Sequence, residues 1–142
     1  DGTLVNSYDV INPTLSLEYA WGGEKGDTYA VTLVSDYVYN PDPKDTGFLL
    51  GAKAGYRKVG ERFGDWQVGY SWRYLEDDAF LAAFPDSDSY SGNTNAKGHE
   101  LTFQMGLAKN VTLGVDYYYM EPISGSTRRT ENLLQTDLVF KF

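Results

Sequence analysis

In the closing stretch LLQTDLVFKF, every second residue back from Phe142 is Phe140, Leu138, Thr136 and Leu134, with Lys141, Val139, Asp137 and Gln135 between them. Alternation at a period of two marks a β-strand with one mainly apolar and one mainly polar face. Six stretches upstream repeat it. TLSLEYAW sets Leu15, Leu17, Tyr19 and Trp21 against Thr14, Ser16, Glu18 and Ala20. DTYAVTLVSDYVYN sets Tyr29, Val31, Leu33, Tyr37 and Tyr39 against Thr28, Thr32 and Asp36. In GFLLGAKAGYRK, Phe48, Leu50, Ala52, Ala54 and Tyr56 oppose Gly51, Lys53, Gly55 and Arg57. DWQVGYSWRYL has the cleanest pattern, with Trp66, Val68, Tyr70, Trp72 and Tyr74 against Gln67, Gly69, Ser71 and Arg73. ELTFQMGLA alternates Leu101, Phe103, Met105 and Leu107 with Thr102, Gln104 and Gly106. VTLGVDYYYM alternates Val111, Leu113, Val115, Tyr117 and Tyr119 with Thr112, Gly114, Asp116 and Tyr118. No stretch sustains a helical period, so the pattern predicts an all-β chain of about seven sequential antiparallel strands.

The connections alternate in length. GGEKG (22–26), GERFG (60–64) and AKN (108–110) are short and rich in turn residues, as tight hairpins require. Those around YNPDPKD, from 76 to 98, and at SGSTRRT are longer. Short turns at one rim and long loops at the other are the arrangement of a transmembrane barrel, whose periplasmic turns are short. A last strand running towards the periplasm puts all three short turns at that rim.

Periodicity alone does not say which face meets water, because a soluble barrel turns its apolar face inward and a membrane barrel turns it outward. Aromatic placement discriminates. Trp21, Tyr29, Tyr56, Trp66 and Phe142 fall at the short-turn rim; Tyr37, Tyr39, Phe48, Trp72, Tyr74, Tyr117 and Tyr119 fall towards the long loops. Between them the same face carries mostly Leu, Val, Ala and Met. Tyr and Trp collect at membrane–water boundaries because one edge of the ring stays wet while its body stays apolar. A soluble barrel would have to bury all these rings in an interior only just wide enough for ordinary side chains. The favoured expectation is an up-and-down transmembrane β-barrel segment over 1–142, with a long loop at 76–98. Its opposite face, carrying Glu18, Asp36, Lys53, Arg57, Arg73, Asp116, Asp137 and Lys141 among Gly, Ser, Thr and Gln, would line a wet lumen. Lys53, Arg57 and Arg73 would form a basic strip facing Asp36, Asp116 and Asp137.

Composition agrees with this and removes other classes. The chain has 142 residues, 42% of them apolar, and mean hydropathy is −0.43. No run reaches the roughly 20 apolar residues of a spanning helix. There is no cysteine, so neither disulfides nor thiolate metal sites contribute. DGTLVNSYDV has neither the basic start nor the apolar core of a signal peptide. The net charge of −8, without a Lys/Arg cluster beyond Arg128-Arg129, argues against nucleic-acid binding.

The ending DLVFKF is similar to the C-terminal assembly signal of Gram-negative outer-membrane barrels, with Leu138, Phe140 and Phe142 at the signal positions. From about Gly64 to Phe142, DWQVGYSWRYLEDDAFLAAFPDSD and NLLQTDLVFKF resemble the C-terminal part of the bacterial outer-membrane "putative porin" family, and the likeness continues more weakly upstream. The resemblance implies a porin: a water-filled channel for passive diffusion of small hydrophilic solutes and ions, without cofactor or turnover. It implies partners in outer-membrane lipid, the barrel assembly machinery and, by likeness to porins, a homotrimer. Family members are longer and begin with a signal peptide, and bacterial barrels close with an even number of strands from 8 upward. The chain is therefore expected to be the C-terminal part of a larger barrel whose edges pair with further strands or protomers. TLVNSYDVI alternates too poorly to be a convincing eighth strand. A small eight-stranded barrel with a structural or adhesive role, and a soluble ligand-binding barrel, remain as alternatives.

Candidates for other chemistry are thin. His99, the one histidine, stands beside Glu100 without a nucleophile motif and reads as a surface residue, so no enzyme is expected. Asp86 and Asp88 in DSDSYSGN hint at calcium, but Ser91 and Lys97 occupy the positions where an EF-hand needs Gly and Glu. AFLAAF before Pro85 has room for a helical turn or two, and would be either a constriction inside the lumen or an external flap.

Overall fold

The computed structural model describes residues 9–22, 28–42, 45–79, 90–125 and 129–142. They build one antiparallel sheet whose strands follow chain order: β1 (Thr14–Gly22), β2 (Thr28–Asn40), β3 (Asp45–Tyr56), β4 (Trp66–Leu75), β5 (Ala96–Ala108), β6 (Val111–Pro122) and β7 (Glu131–Phe140). A 3₁₀ turn lies at Tyr90–Gly92. The fold is all-β and up-and-down, as the alternation predicts. The sheet does not close, since β1 and β7 each have one neighbour among the described residues.

Except for one shift at the end of β5, pairing is one-to-one across every interface, which keeps the two faces separate. One row runs Leu17, Leu33, Ala52, Tyr70, Leu101, Tyr117, Leu134, each residue opposite the next. The adjoining row runs Glu18, Thr32, Lys53, Gly69, Thr102, Asp116, Gln135. Because side chains alternate across a sheet, these rows lie on opposite faces. The one irregularity, between Gly106 and Ala108, falls beside the β5–β6 hairpin, beyond the point where it would exchange the faces. That hairpin turns at Lys109-Asn110, with Asn110 in the left-handed region (φ 64) that Asn tolerates.

The sheet coils around its polar face. Thr32 and Val38 are buried there, whereas Val31, Leu33 and Tyr37 on the other side are exposed, and cavities open on the polar side. The apolar face is left uncovered: Leu17 is 57% exposed, Tyr70 45% and Leu138 54%. Tyr70, Leu113 and Leu138 thus form no common centre, as a soluble barrel would require of them.

Several boundaries differ from those expected. Strand β5 starts at Ala96, so Ala96, Lys97 and Gly98 belong to the ladder rather than the long loop, paired with Leu75, Tyr74 and Arg73 of β4. Strand β3 begins at Asp45 and ends at Tyr56, leaving Arg57 and Lys58 in the connection that follows. Strand β7 covers Glu131–Phe140, and Phe142 lies beyond it. Ile11 exchanges two backbone hydrogen bonds of 2.9 Å with Tyr39, which prolongs the β1 line along β2, while residues 3–8 of TLVNSYDVI lie outside the described residues. The turn at 23–27, the stretch 80–89 with all of AFLAAF but its first residue and with Asp86 and Asp88, and 126–128 with Arg128 lie outside the described residues.

The polar face is not uniformly open. Near the long-loop end Ala96, Tyr118 and Met120 are buried in one cluster, with Leu133 packed against it. Across the same end, buried Asn40 donates to the Asp78 carbonyl at 2.7 Å and accepts from Asp42 N–H. Met120→Ala is expected to cost about 2 kcal/mol or more through the cavity it leaves. The loss would be read as a lower urea midpoint of the protein folded into lipid vesicles.

Candidate functional site

The polar face carries Glu18, Asp36, Lys53, Arg73, Asp116 and Asp137 on its strands, with Arg57 just past the end of β3, at three levels. Nearest the long loops, Asp36, Leu49, Arg73 and Gly98 share a row. Arg73 Nη2 lies 3.5 Å from Glu100 Oε2, and Ser71 donates to that oxygen at 3.0 Å. Asp36 accepts from Asn12 Nδ2 at 2.6 Å and from Thr14 Oγ1 at 2.9 Å. In the middle row Lys53 faces Gly69, whose lack of a side chain leaves room beside it. At the short-turn end Arg57 Nη2 reaches over β2 to Glu18 Oε1 at 2.8 Å.

Arg73, Lys53 and Arg57 therefore descend the β3–β4 pair, spread over roughly 27 Å at about 3.4 Å per residue. They do not form a single ring. Two of the three have carboxylate partners on other strands, Glu100 on adjacent β5 and Glu18 two strands away on β1, so the face is finely mixed in sign. Asp116 and Asp137 lie further round, lining with Arg57, Gln67, Gln104 and Lys141 a cavity of about 630 Å³ at the short-turn end.

The opposite face carries the aromatic residues in two ladders. At the short-turn rim Trp21 stacks on Tyr19 and Tyr29 (5.8 and 6.2 Å between centroids), and Tyr29 donates to the Tyr56 hydroxyl at 2.9 Å. Trp66 is exposed at the same level. Towards the long loops Phe48 packs on Trp72 and Tyr74 at 4.8 and 5.3 Å. Next to them, Tyr70 bonds His99 Nδ1 at 2.7 Å, and His99 packs on Tyr119 at 6.4 Å. His99 thus belongs to the aromatic ladder. Tyr117 donates to Asn132 at 2.8 Å. Leu138 and Phe140 lie exposed on β7, and Phe142 follows the strand.

Two functional residues escape a reading of the sequence alone. Glu100 has the parity of Thr102 and Gln104, and that parity was the signal for its place on the face of Arg73, opposite Ser71 and diagonal to Arg73. Asp65 is only 2% exposed; it accepts from the Glu61 and Arg62 backbone N–H groups at 3.2 and 2.9 Å, and from Arg62 Nε at 2.9 Å. It organises the β3–β4 connection, in which Gly60 and Gly64 have φ of 90 and 89. GERFG is therefore no tight hairpin. The whole segment from Arg57 to Asp65 is a structured connection, for which the sequence signal was an aspartate closing a stretch bounded by two glycines.

A family model described as "Putative porin" matches residues 7–142. The chain belongs to this porin family. No curated protein and no solved structure matches it. Membership points to an outer-membrane location and a non-enzymatic channel. Among the described residues of this porin, no three His, Cys, Asp or Glu side chains are grouped to hold a metal, and no helix is long and apolar enough to cross a membrane. The second statement has no bearing on strands.

Beyond the ladder at the long-loop end, partial burial, then the negative charges of Asp78 and Asp45, push the Asp77 carboxyl above the ordinary carboxylate range. A group whose folded value is raised holds its proton more tightly folded than unfolded. Its contribution to stability is present at low pH and declines as pH rises from the ordinary carboxylate value to the raised one. Asp77→Asn is therefore expected to flatten part of the fall in thermal stability over that interval, measured by melting the vesicle-folded protein at stepped pH.

Proposed function

We infer that the protein forms part of a water-filled channel through the bacterial outer membrane, passing small hydrophilic solutes and ions by diffusion. The observation that carries this is the separation of faces held over seven strands. Charged and small polar residues share the inner, cavity-bearing face, and aliphatic residues between two aromatic ladders share the uncovered outer face. An exposed apolar surface of this extent needs a cover, and a bilayer matches its banding. Trp21, Tyr29, Tyr56 and Trp66 would sit at one headgroup level, and Trp72, Tyr74, Tyr117 and Tyr119 at the other. The side chains of Glu18, Asp36, Lys53, Arg57, Arg73, Asp116 and Asp137 would line the water column, where charge acts on passing ions at short range.

The free edges of β1 and β7 support a further part of this proposal. Unpaired backbone groups facing hydrocarbon cost several kcal/mol each. In the membrane both edges would pair with further strands, of the same barrel or of another protomer, and a homotrimer of closed barrels is the proposed assembly. Leu138, Phe140 and Phe142 would present the C-terminal signal to the assembly machinery.

The test is single-channel recording in planar bilayers. Wild-type protein is expected to give discrete ohmic openings, and combined reversal of Arg57 and Arg73 to Glu should move the zero-current potential in a salt gradient towards cation preference. Discrete openings whose selectivity ignored both reversals would remove these two residues from the lining. The absence of any conductance from folded, membrane-inserted protein would overturn the channel itself.

A further inference from the structure

The connection between β3 and β4 does not hang beneath the sheet. After Tyr56 the chain turns onto the polar face, where it meets the end of β5, the β5–β6 turn and the start of β6 before entering β4. Gly60 O accepts from Asn110 N–H at 2.8 Å, and Gly64 N–H donates to Gly106 O at 2.9 Å. Gly106 N–H in turn donates to Asp65 O at 2.7 Å. From β3 to β6 is three inter-strand steps, roughly 14 Å along the wall.

Two glycine positions show that the segment lies on the wall and not beside its rim. A Cβ at Gly106 would point to the polar face and collide with the Arg62 carbonyl oxygen, with the Gly60 nitrogen also only 3.1 Å away. A Cβ at Gly60 would meet Thr112 Oγ1 at 2.6 Å, and Thr112 is the partner of Gly106 in the β5–β6 ladder. The backbone of this segment thus occupies the space where inner-wall side chains would stand. Buried Asp65 fastens its far end through its bonds to Glu61 and Arg62, and the Arg62 guanidinium rests 5.3 Å over the Tyr56 ring. The segment carries Lys58 and Glu61 into the open. Their 3.6 Å pairing is loose, with side chains 76% and 58% exposed, and Lys58 borders the same cavity as Asp116 and Asp137.

We propose that the inward-folded Arg57–Asp65 segment is the constriction of the short-turn mouth, narrowing the passage with its backbone and setting ion preference there with the Lys58 ammonium. This rests on the channel function proposed above. A second layer of backbone on the inner wall reduces the radius where it lies. The Lys58 side chain is 76% exposed against 20% for Arg73, so even with Glu61 beside it the ammonium stands in the water that ions cross, where solvent weakens the pairing.

The experiment is bilayer recording of the detergent-extracted protein in the assembly it has in the membrane. Wild type is compared with Lys58→Glu, Gly106→Ala and Lys109→Glu, folding of each being verified by the mobility difference between heated and unheated samples on a gel. Lys109 lies in the neighbouring hairpin at the same rim but does not border the cavity, so it controls for charge reversal as such. Lys58→Glu is expected to shift the zero-current potential towards cations while Lys109→Glu leaves it in place. Gly106→Ala, by wedging the segment off the wall, is expected to raise single-channel conductance. Wild-type openings with Lys58→Glu indistinguishable from Lys109→Glu would overturn the constriction and leave the channel standing. No wild-type openings at all would overturn both.

Discussion

Everything in this structure depends on strict one-to-one strand register. With side chains alternating across the sheet, a slip of one residue at any interface would transfer that strand's Leu, Val and aromatic residues to the charged face. Successive ladders hold their phase, so Glu18 on the first strand and Gln135 on the last still share a face. The hairpins that set the register differ in how they do so. Between β5 and β6 a two-residue turn closes through the left-handed Asn110. Between β3 and β4 a much longer connection yields the same phase because its ends are clamped, Arg57 N–H to Thr28 O at 2.8 Å and Gly64 N–H to Gly106 O at 2.9 Å. Register belongs to the ladder, and a connection of almost any shape is tolerated if its last bonds are in phase.

Freedom from side chains on the inner face lets that longer connection fold inward. Gly69 and Gly114 keep the polar face shallow, and Gly106 makes it flat enough for a second backbone to lie against it. Stacking of this kind leaves peptide groups away from bulk solvent, and they must find partners. Asp65 meets two of them and Asn110 a third. A buried carboxylate is costly unless it is hydrogen-bonded and charge-paired, and the Arg62 guanidinium at 2.9 Å completes both conditions. The charged pairs on the strands work differently. Glu18–Arg57 is half exposed and contributes little to stability; its main effect is to fix where each charge stands on the wall.

How much of this was legible in the chain follows from the range of the interactions. Strand β4 reads directly from DWQVGYSWRYL because large aromatic and small polar residues alternate without interruption, and β6 reads equally well. The start of β5 does not. Ala96, Lys97 and Gly98 have no alternation of their own and become strand because Leu75, Tyr74 and Arg73 offer a ladder to them. The burial of Tyr118 and Met120 on the polar face has the same origin: each has the right parity for that face, yet only Ala96 and Leu133 on adjacent strands supply an apolar neighbourhood. Local period gave the faces; partners far along the chain decided the ends of strands and the exceptions on each face.

The inward segment is the sharpest case of that limit. GERFG contains two glycines and reads as a tight turn, since the residues that draw it inwards, Gly106, Asn110 and Thr112, lie more than forty positions downstream. Nothing in the segment itself separates a turn that leaves the sheet from one that lies on it. What separates them is the match between two glycines far apart in the chain, Gly60 in the connection and Gly106 on β5, each of which would collide with the other's surroundings if it carried a methyl group. Glycine in a strand reads as weakness when strands are taken singly, because it forfeits packing. On the inner wall of a coiled sheet its meaning is reversed: the missing side chain is the room in which the connection between β3 and β4 is held.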